Sequence, residues 1–218
     1  MDNYMDVINR YEGKGIPYRD RNDDIRLIVS NMCYHMSNSD DGVIKHLIEH
    51  YKCFNYINNI LVSGNKCVIE YDKGYVSFNV LPRNFLKVFC DDVFGLEKLS
   101  GECHYVTQKI LESCRSNDIS AVTSLCINVN YLFYFHSYIH DRNENKIIDF
   151  ARNFIMDKDI YDKLFCYYQI NDFNYSEYKH NLFNSSYDFV SDKCFSLLYL
   201  ALDKLEKDDL DIDSGIKR

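Results

Sequence analysis

The stretch YVSFNVLPRNFLKVFCDDVFGLEKLSGECHYVTQKILESCRSNDISAVTSLCI, residues 75–127, carries the periodicities from which the fold is predicted. Val76, Phe78 and Val80 alternate with polar residues, which predicts a half-buried strand. Beyond Pro82 the apolar residues recur at helical spacing, which predicts three helices in succession. The apolar faces of these helices are Phe85, Val88, Phe89 and Val93, then Val106, Ile110, Leu111 and Cys114, then Ile119, Val122, Leu125 and Cys126.

The composition predicts a mainly helical protein with a protein ligand. The chain has 218 residues, of which 46% are hydrophobic, so that it can bury one sizeable core or two small ones. Its 8 glycines and 2 prolines are too few for a fold with many tight turns. The formal net charge of -8 and the lack of a long basic cluster argue against binding to nucleic acid or to an anionic membrane.

The 9 cysteines include no Cys-x-x-Cys pair and lie mostly at apolar positions of predicted helices, as is typical of reduced thiols in intracellular proteins. The polar start MDNYMDVINRYEGKG predicts no signal peptide, and no apolar run is long enough for a membrane span. His46 and His50 stand four residues apart, but no third or fourth ligand is spaced to complete a zinc site. We expect no metal, no cofactor and a cytoplasmic location.

Upstream of this stretch the pattern predicts a helix, a strand and a second helix. A short amphipathic helix is expected over residues 1–11, and residues 24–29, with the sequence Asp-Ile-Arg-Leu-Ile-Val, are typical of a strand. Apolar residues recur at spacings of three and four over residues 43–61, which predicts a long helix capped by Asp40 and Asp41.

Two structures fit residues 67–80. Ile69 can face Val76 across the turn Asp-Lys-Gly, which favours a β-hairpin. Alternatively, residues 67–70 form a short helical or irregular segment in front of a single strand. The pattern alone does not decide between the two structures.

Downstream of residue 127 the predicted structure is helical. Residues 131–138 are rich in Tyr and Phe, and an aromatic helix is expected there. Further helices are expected over residues 147–155, 160–168 and 175–182, and from Asp192 onward. Residues 207–218 are highly charged and are expected to be disordered.

The order of these elements resembles a BTB (POZ) domain followed by a BACK domain, as in the poxvirus relatives of kelch proteins. Asp24 and His35 are similar to an Asp and a His that the BTB family carries near its first strand. VSFNVLPRNFLKVFCDDVFG followed by YVTQKILESCRSNDISAVTSLCI is similar to the family's strand, helix and two-helix hairpin. Ala-Arg-Asn-Phe-Ile at residues 151–155 and LFNSSYDFVSDKCFSLLYLALDKLEKD resemble two steps of the BACK pattern.

The resemblance implies an α+β, mainly helical fold with two domains. Residues 1–127 would form a BTB domain with a small sheet flanked by helices, residues 128–206 an all-helical BACK domain, and residues 207–218 a tail. It also implies a dimeric adaptor or decoy that binds cullin-3 of a host ubiquitin ligase. Such a viral protein would act in the host cytoplasm on an unknown substrate protein, and this chain lacks the kelch repeats that usually recruit the substrate.

The predicted partner sites follow from the resemblance and from exposed apolar surface. Val68 and Glu70 stand at a hydrophobic-x-Glu step that contributes to cullin-3 binding in the family, although the same residues can equally form the first strand of a hairpin. Met5, Ile8, Ile44 and Ile48 leave more apolar surface than one half-domain covers, which predicts a homodimer interface.

Two other classes of function were compared with the adaptor. A viral Bcl-2-like helical bundle that sequesters a host signalling protein is the leading alternative, but VIEYDKGYVSFNV is poor helix material. An enzyme would need more than Asp24 and His35, because no nucleophile elbow, phosphate loop or pair of carboxylates accompanies them. The sequence therefore predicts that the protein is not an enzyme.

Overall fold

The computed structural model of the protein describes residues 21–81, 101–130 and 132–178. The described part contains four helices and eight strands, and a further helical turn begins at residue 175. The helices are α1 (Arg21–Ser37), α2 (Asp41–Lys52), α3 (Cys103–Cys114) and α4 (Lys158–Leu164). The strands are β1 (Ile57–Ser63), β2 (Lys66–Tyr71), β3 (Gly74–Val80), β4 (Ile119–Ile127), β5 (Phe133–Asp141), β6 (Lys146–Asp149), β7 (Phe154–Asp157) and β8 (Cys166–Asn174).

The eight described strands form one antiparallel sheet in the order β1-β2-β3-β7-β6-β5-β4-β8. The first three strands and the last five meet where β3 pairs with β7, with Phe78 opposite Met156 and Val80 opposite Phe154. Strands from both sides of residue 127 therefore belong to the same sheet. The predicted mainly helical fold with an all-helical carboxy-terminal BACK domain is wrong.

β4 and β5 occupy the segments in which helices were predicted over residues 119–126 and 131–138. Residues 120–127 are all buried, so that both faces of β4 are covered. A strand buried on both faces is a nearly continuous apolar run, and periodicity does not distinguish such a run from a buried helix. The aromatic residues of β5 also favour a strand, where they pack on the pleated surface.

α1 lies where a strand was predicted over residues 24–29. Ile25, Ile28, Val29 and Met32 are all buried, and their spacing of three, four and seven residues is that of one helix face. The six residues 24–29 are too few to distinguish a helix from a strand, and the helical period becomes clear over the longer stretch that ends at Met32.

Strands also replace parts of the other predicted helices. The helix predicted over residues 43–61 ends as α2 at Lys52, and β1 follows. β6 and β7 occupy the segment of residues 147–155, and β8 takes over after α4 from Cys166. In each case, pairing within the sheet outweighs the helical spacing of a few apolar residues.

The predictions for β3 and for α3 are confirmed. Of the two structures that fitted residues 67–80, the hairpin is the one found, with Ile69 opposite Val76 and Tyr71 opposite Gly74. Gly74 has a φ of 139°, a backbone conformation that residues with a side chain rarely adopt, so that this turn requires glycine.

Several predicted elements lie outside the described residues. They are the helix of residues 1–11, the helix bearing Phe85 to Val93, the helix from Asp192 onward and the tail of residues 207–218. Within the described part of the chain, no helix combines the length and the apolar character that crossing a membrane requires.

The sheet separates two apolar layers, and this separation positions the candidate site. On one face, α1, α2 and α4 cover the larger core, in which Phe78, Phe154 and Tyr161 are fully enclosed. On the other face, α3 packs through Val106 and Ile110 in a smaller core. α3 therefore has a fixed position against β5, because burying an aliphatic side chain of this size stabilises a fold by about 1.5–3 kcal/mol.

Candidate active site

Cys103 is the first residue of α3. Gly101, two residues earlier, has a φ of 90°, which favours glycine and turns the chain into the helix. The first N–H groups of a helix have no acceptor within it and carry a partial positive charge. The Cys103 thiol is half-buried at this helix start, and such a position favours the thiolate.

His136 comes from β5, where strand alternation places its side chain on the same face as Tyr134 and Tyr138. The residue is only 3% exposed. β5 pairs with β6 only from residue 139 to residue 141, so that His136 lies beyond the end of this ladder. There the imidazole and the Cys103 thiol are close enough for each to shift the pKa of the other, although α3 packs on the other face of the sheet.

Asp149 ends β6, is fully buried, and contacts the imidazole through its carboxylate. Its Oδ2 accepts hydrogen bonds from His136 Nε2 at 2.8 Å and from the Tyr161 hydroxyl at 2.9 Å. Its Oδ1 accepts the backbone N–H of Arg152 at 3.0 Å. An ionised carboxylate only accepts, so Nε2 carries the proton and Nδ1 is the nitrogen left for Cys103.

These contacts shift the pKa values of all three groups towards their charged forms. Burial raises the pKa of the Asp149 carboxyl, but the charge and hydrogen bond of His136 outweigh burial and lower it overall. Burial lowers the pKa of His136, but Asp149 raises it overall. Burial raises the pKa of the Cys103 thiol, but hydrogen bonds from His104 and His136 bring it to about 5. A thiolate at Cys103 is therefore favoured near neutral pH, and the imidazolium of His136 is favoured more than in a free histidine.

Three other cysteines show the opposite behaviour. Cys33, Cys67 and Cys126 are buried in the larger core, and burial raises the pKa of each thiol, to about 12 for Cys67. Such thiols remain protonated and act as small apolar groups. The low pKa of Cys103 thus comes from its place in the fold.

A second imidazole fixes the start of α3 to the sheet. His104 Nδ1 lies 2.7 Å from the Ser137 hydroxyl, which lies 2.8 Å from the Thr123 hydroxyl on β4. The backbone N–H of Thr123 donates to Asn171 Oδ1 on β8 at 3.0 Å. Because Ser137 is next to His136 in β5, this chain of contacts holds the start of α3 in register with the imidazole of His136.

The arrangement is suited to nucleophilic catalysis. A thiolate at a helix start, an imidazolium beside it and a carboxylate behind the imidazole are the three parts of a cysteine nucleophile with its base and orienting group. Among the described residues, no three His, Cys, Asp or Glu side chains are grouped so that they could hold a metal ion.

The predicted partner residues lie far along the chain from this site. Val68 and Glu70 are on β2, with Val68 half-buried and Glu70 exposed. Ile44 is buried and Ile48 half-buried on α2, both in contact with the larger core. The other two residues of the predicted dimer interface, Met5 and Ile8, lie outside the described residues. The predicted interfaces with cullin-3 and with a second copy stay predictions.

The histidines considered from sequence are not brought together with a nucleophile. Asp24 and His35 both lie on α1, about 16 Å apart along the helix axis at 1.5 Å per residue. His35 Nδ1 instead lies 3.3 Å from Asp40. His46 and His50 are both exposed on α2.

Sequence reasoning missed Cys103, His136 and Asp149. The available signals were Gly-x-Cys at the start of a predicted helix, a His between two Tyr in a Tyr-x-His-x-Tyr alternation, and an Asp that closes an Ile-Ile-Asp strand. These signals were hidden because helices were predicted where β5 and β6 lie and because nine cysteines made any single one inconspicuous.

The chain matches no protein-family model, no curated protein and no solved structure. The assignment of the site therefore rests on its geometry.

Proposed function

We propose that the protein is an acyl-transfer enzyme of the cysteine type. Cys103 is the nucleophile, His136 the general acid and base, and Asp149 the residue that orients His136. One observation carries the proposal: a half-buried thiol at a helix start has its pKa lowered by an imidazole whose Nε2 lies 2.8 Å from a buried carboxylate. The substrate class is a carbonyl compound with a leaving group, such as an amide, an ester or a thioester.

The reaction proceeds in two halves through a thioester. The Cys103 thiolate attacks the carbonyl carbon, and the His136 imidazolium gives its proton to the leaving amine or alcohol as the carbon–heteroatom bond breaks. A water or an amine then attacks the thioester, and neutral His136 takes its proton. The thiolate leaves, so that the product acid or amide is released and the ion pair is restored.

The start of α3 also stabilises the charge that develops on the carbonyl oxygen. The first N–H groups of the helix lie beside the thiol, where the attacked carbonyl must sit. Donors fixed before the reaction stabilise an oxyanion without having to reorganise, and losing one such donor typically costs about 10²- to 10³-fold in rate. Because these donors belong to the backbone, they are kept in every side-chain variant of the site.

A purely structural role for the buried His136 and Asp149 does not explain why a thiol and a helix start lie beside them. Such a pair needs no thiol beside it and no helix start pointing at that thiol. All seven described cysteines are free, as is typical of proteins in reducing compartments. This supports the expected cytoplasmic location, which remains part of this proposal.

The test is acylation of the purified chain by p-nitrophenyl acetate. We expect a burst of p-nitrophenol of about one equivalent, as covalent catalysis gives, with the acetyl group found on Cys103 by mass spectrometry. Cys103→Ala should abolish the burst, and His136→Ala should slow it by about 10²- to 10⁴-fold.

Cys53→Ala is the matched control, because Cys53 is an exposed thiol on a different part of the chain. It should leave the burst unchanged. A folded wild-type chain that gives no burst, or a burst that survives in Cys103→Ala, would refute the proposed function.

A cullin-3 adaptor and a Bcl-2-like inhibitor both act through partner surfaces, and the contacts of the described residues do not test a partner. The prediction that the protein is not an enzyme is likewise left open until the acylation assay decides it.

A further inference from the structure

Arg152 lies in the turn between β6 and β7, with its guanidinium enclosed by three aromatic rings. Its Cζ lies 4.2 Å from the ring centre of Phe165 and 5.5 Å from those of Tyr134 and Tyr161. Nη1 donates to the Tyr161 hydroxyl at 2.9 Å, and Nη2 donates to the Tyr134 hydroxyl. The side chain is 15% exposed. Burying a charge in this way is costly unless a buried charge of opposite sign faces it.

That opposite charge is Asp149. Arg152 approaches it in three ways: the backbone N–H donates to Oδ1 at 3.0 Å, Nη1 lies 3.7 Å from Oδ2, and the Tyr161 hydroxyl bridges the guanidinium to the same Oδ2. His136 donates to this Oδ2 as well. The carboxylate therefore divides its negative charge between an imidazole and a guanidinium.

The charges at the site balance only when Arg152 is counted. In the ion-pair state the carboxylate of Asp149 and the thiolate of Cys103 face the imidazolium of His136 and the guanidinium of Arg152, two charges of each sign. Without the guanidinium, this enclosed group of residues would carry one excess negative charge, which would bind the imidazolium proton more tightly.

The remaining titratable groups around this pair are neutral. Cys33 on α1 and Cys126 on β4 face Asp149 and Arg152, and burial raises the pKa of both thiols. Burial also raises the pKa of the Tyr134 and Tyr161 hydroxyls. Within the described residues, Arg152 is thus the group, besides His136, whose positive charge can offset Asp149.

We infer that Arg152 is a positioning residue that acts through Asp149. It keeps the carboxylate ionised and limits how strongly that carboxylate holds the imidazolium proton, so that His136 can pass the proton to the leaving group. The inference rests on the proposed acyl transfer. It explains why the fold encloses a guanidinium behind the candidate active site instead of closing that space with an apolar side chain.

The experiment compares Arg152→Met, Arg152→Lys and Arg142→Met in the full chain. Methionine keeps the contact with the Phe165 ring but removes the charge, lysine keeps the charge, and Arg142 is a control arginine that pairs with Asp172. NMR titration of His136 and the pH dependence of Cys103 acylation are measured for each variant. If Arg152→Met does not fold, Arg152→Gln replaces it as the uncharged variant.

In the uncharged variant, we expect the His136 titration and the alkaline limb of acylation to move up together by about one pH unit, as for loss of a nearby positive charge. In Arg152→Lys and in Arg142→Met, both the His136 titration and the pH dependence of acylation should be the same as in the wild type. A folded uncharged variant with an unchanged titration would overturn the inference while leaving a wild-type burst, and hence the proposed function, intact. Absence of the burst in the wild type would instead refute the proposed function, and the inference with it.

Discussion

Strand β5 carries two histidines that each contact an aspartate, and only one of the two pairs lies beside a nucleophile. His136 Nε2 lies 2.8 Å from Asp149, and His140 Nδ1 lies 3.2 Å from Asp172. Asp149 is fully buried, whereas the side chain of Asp172 is 20% exposed. The same two residue types are thus paired at a fully buried position and at a partly exposed position of one strand.

An arginine accompanies both pairs, again in different settings. Arg152 is enclosed by aromatic rings behind Asp149. Arg142 is 33% exposed, contacts Asp172 at 3.0 Å and also reaches Glu177 at 3.4 Å. The exposed cluster ties the turn after β5 to β8 and to the helical turn beyond it, which is a structural role.

The decisive difference is the residue in front of each imidazole. The thiol in front of His136 belongs to Cys103, which is only half-buried and begins a helix. The residue opposite His140 on β4 is Ser120, which is fully buried within the sheet. A pair of His and Asp therefore becomes a candidate catalytic pair only where the fold supplies an accessible nucleophile and backbone donors beside it.

The largest expected effect comes from exchanging each carboxylate for an amide. Asp149→Asn should lower the rate of Cys103 acylation by about 10³- to 10⁴-fold, because an amide favours the wrong imidazole tautomer. Asp172→Asn should leave the rate within about threefold of the wild type, as for a charge remote from the reacting atoms. Stopped-flow acylation measures both, and equal effects would remove the distinction between the two pairs.

The two aspartates should also differ in how much they stabilise the fold, with the larger effect again at Asp149. Asp149→Ala should lower the free energy of unfolding by about 3–5 kcal/mol, because it leaves the buried charge of Arg152 without its partner. Asp172→Ala should cost about 1 kcal/mol or less, since its partner Arg142 is one-third exposed to water. Urea unfolding followed by circular dichroism measures both, and a smaller loss for Asp149→Ala than for Asp172→Ala would contradict the burial argument.

Local signals in the sequence were sufficient for some elements and insufficient for the sheet. β3 and α3 were predicted because the residues of each apolar face lie within a dozen residues of one another, and the β2–β3 hairpin was one of two structures that the pattern allowed. β4 was missed because both of its faces are covered, by α3 on one side and by the larger core on the other, so that no alternation remains in the sequence. Pairing over long distances, such as that of β3 with β7, leaves no local pattern.

The candidate site was missed for a related reason. Cys103 and His136 meet because the ladder between β5 and β6 stops at Ile139, which no spacing in the sequence reveals. Once β5 is known to be a strand, the order Cys, His, Asp along the chain becomes informative. The BTB–BACK resemblance instead assigned residues 151–155 to a BACK helix, although this segment contains Arg152 and leads into β7.

Alkylation by iodoacetamide tests the charge state of the thiol at the His136 end of β5. The rate at Cys103 should rise with pH through a midpoint of about 5, because the thiolate is the reactive form. At pH 6 a thiol of pKa about 5 is about 300 times more ionised than one of pKa about 8.5, but its thiolate is intrinsically about 40 times less nucleophilic. At pH 6 we therefore expect Cys103 to be alkylated about eight times faster than an ordinary thiol.

Mass spectrometry after a short pulse resolves the rate at Cys103 from the rate at the exposed Cys53 in the same sample. His136→Ala should move the midpoint at Cys103 upward, since the imidazole hydrogen bond is lost. His140→Ala, at the other end of the strand, should not move it. A Cys103 midpoint near 8.5 in the wild type would show that His136 does not lower the pKa of this thiol, and the contrast between the two histidine sites would be lost.

The smallest expected effect concerns the hydroxyl that Tyr161 donates to Asp149. Tyr161→Phe keeps the fully buried ring and its contacts with Phe165 and Arg152, but removes one of the three donors to the carboxylate. One lost hydrogen bond to a charged group is worth about 1.5–3 kcal/mol, but the other donors still hold Asp149, so that we expect only about a fivefold slower acylation.

The matched control is Tyr178→Phe, which removes a hydroxyl that donates to Glu112 at 3.1 Å near the end of α3. If both variants slow acylation equally, the hydroxyl of Tyr161 acts on stability alone. If only Tyr161→Phe does so, while urea unfolding shows the same stability loss in both variants, the hydroxyl helps to set the orientation of His136.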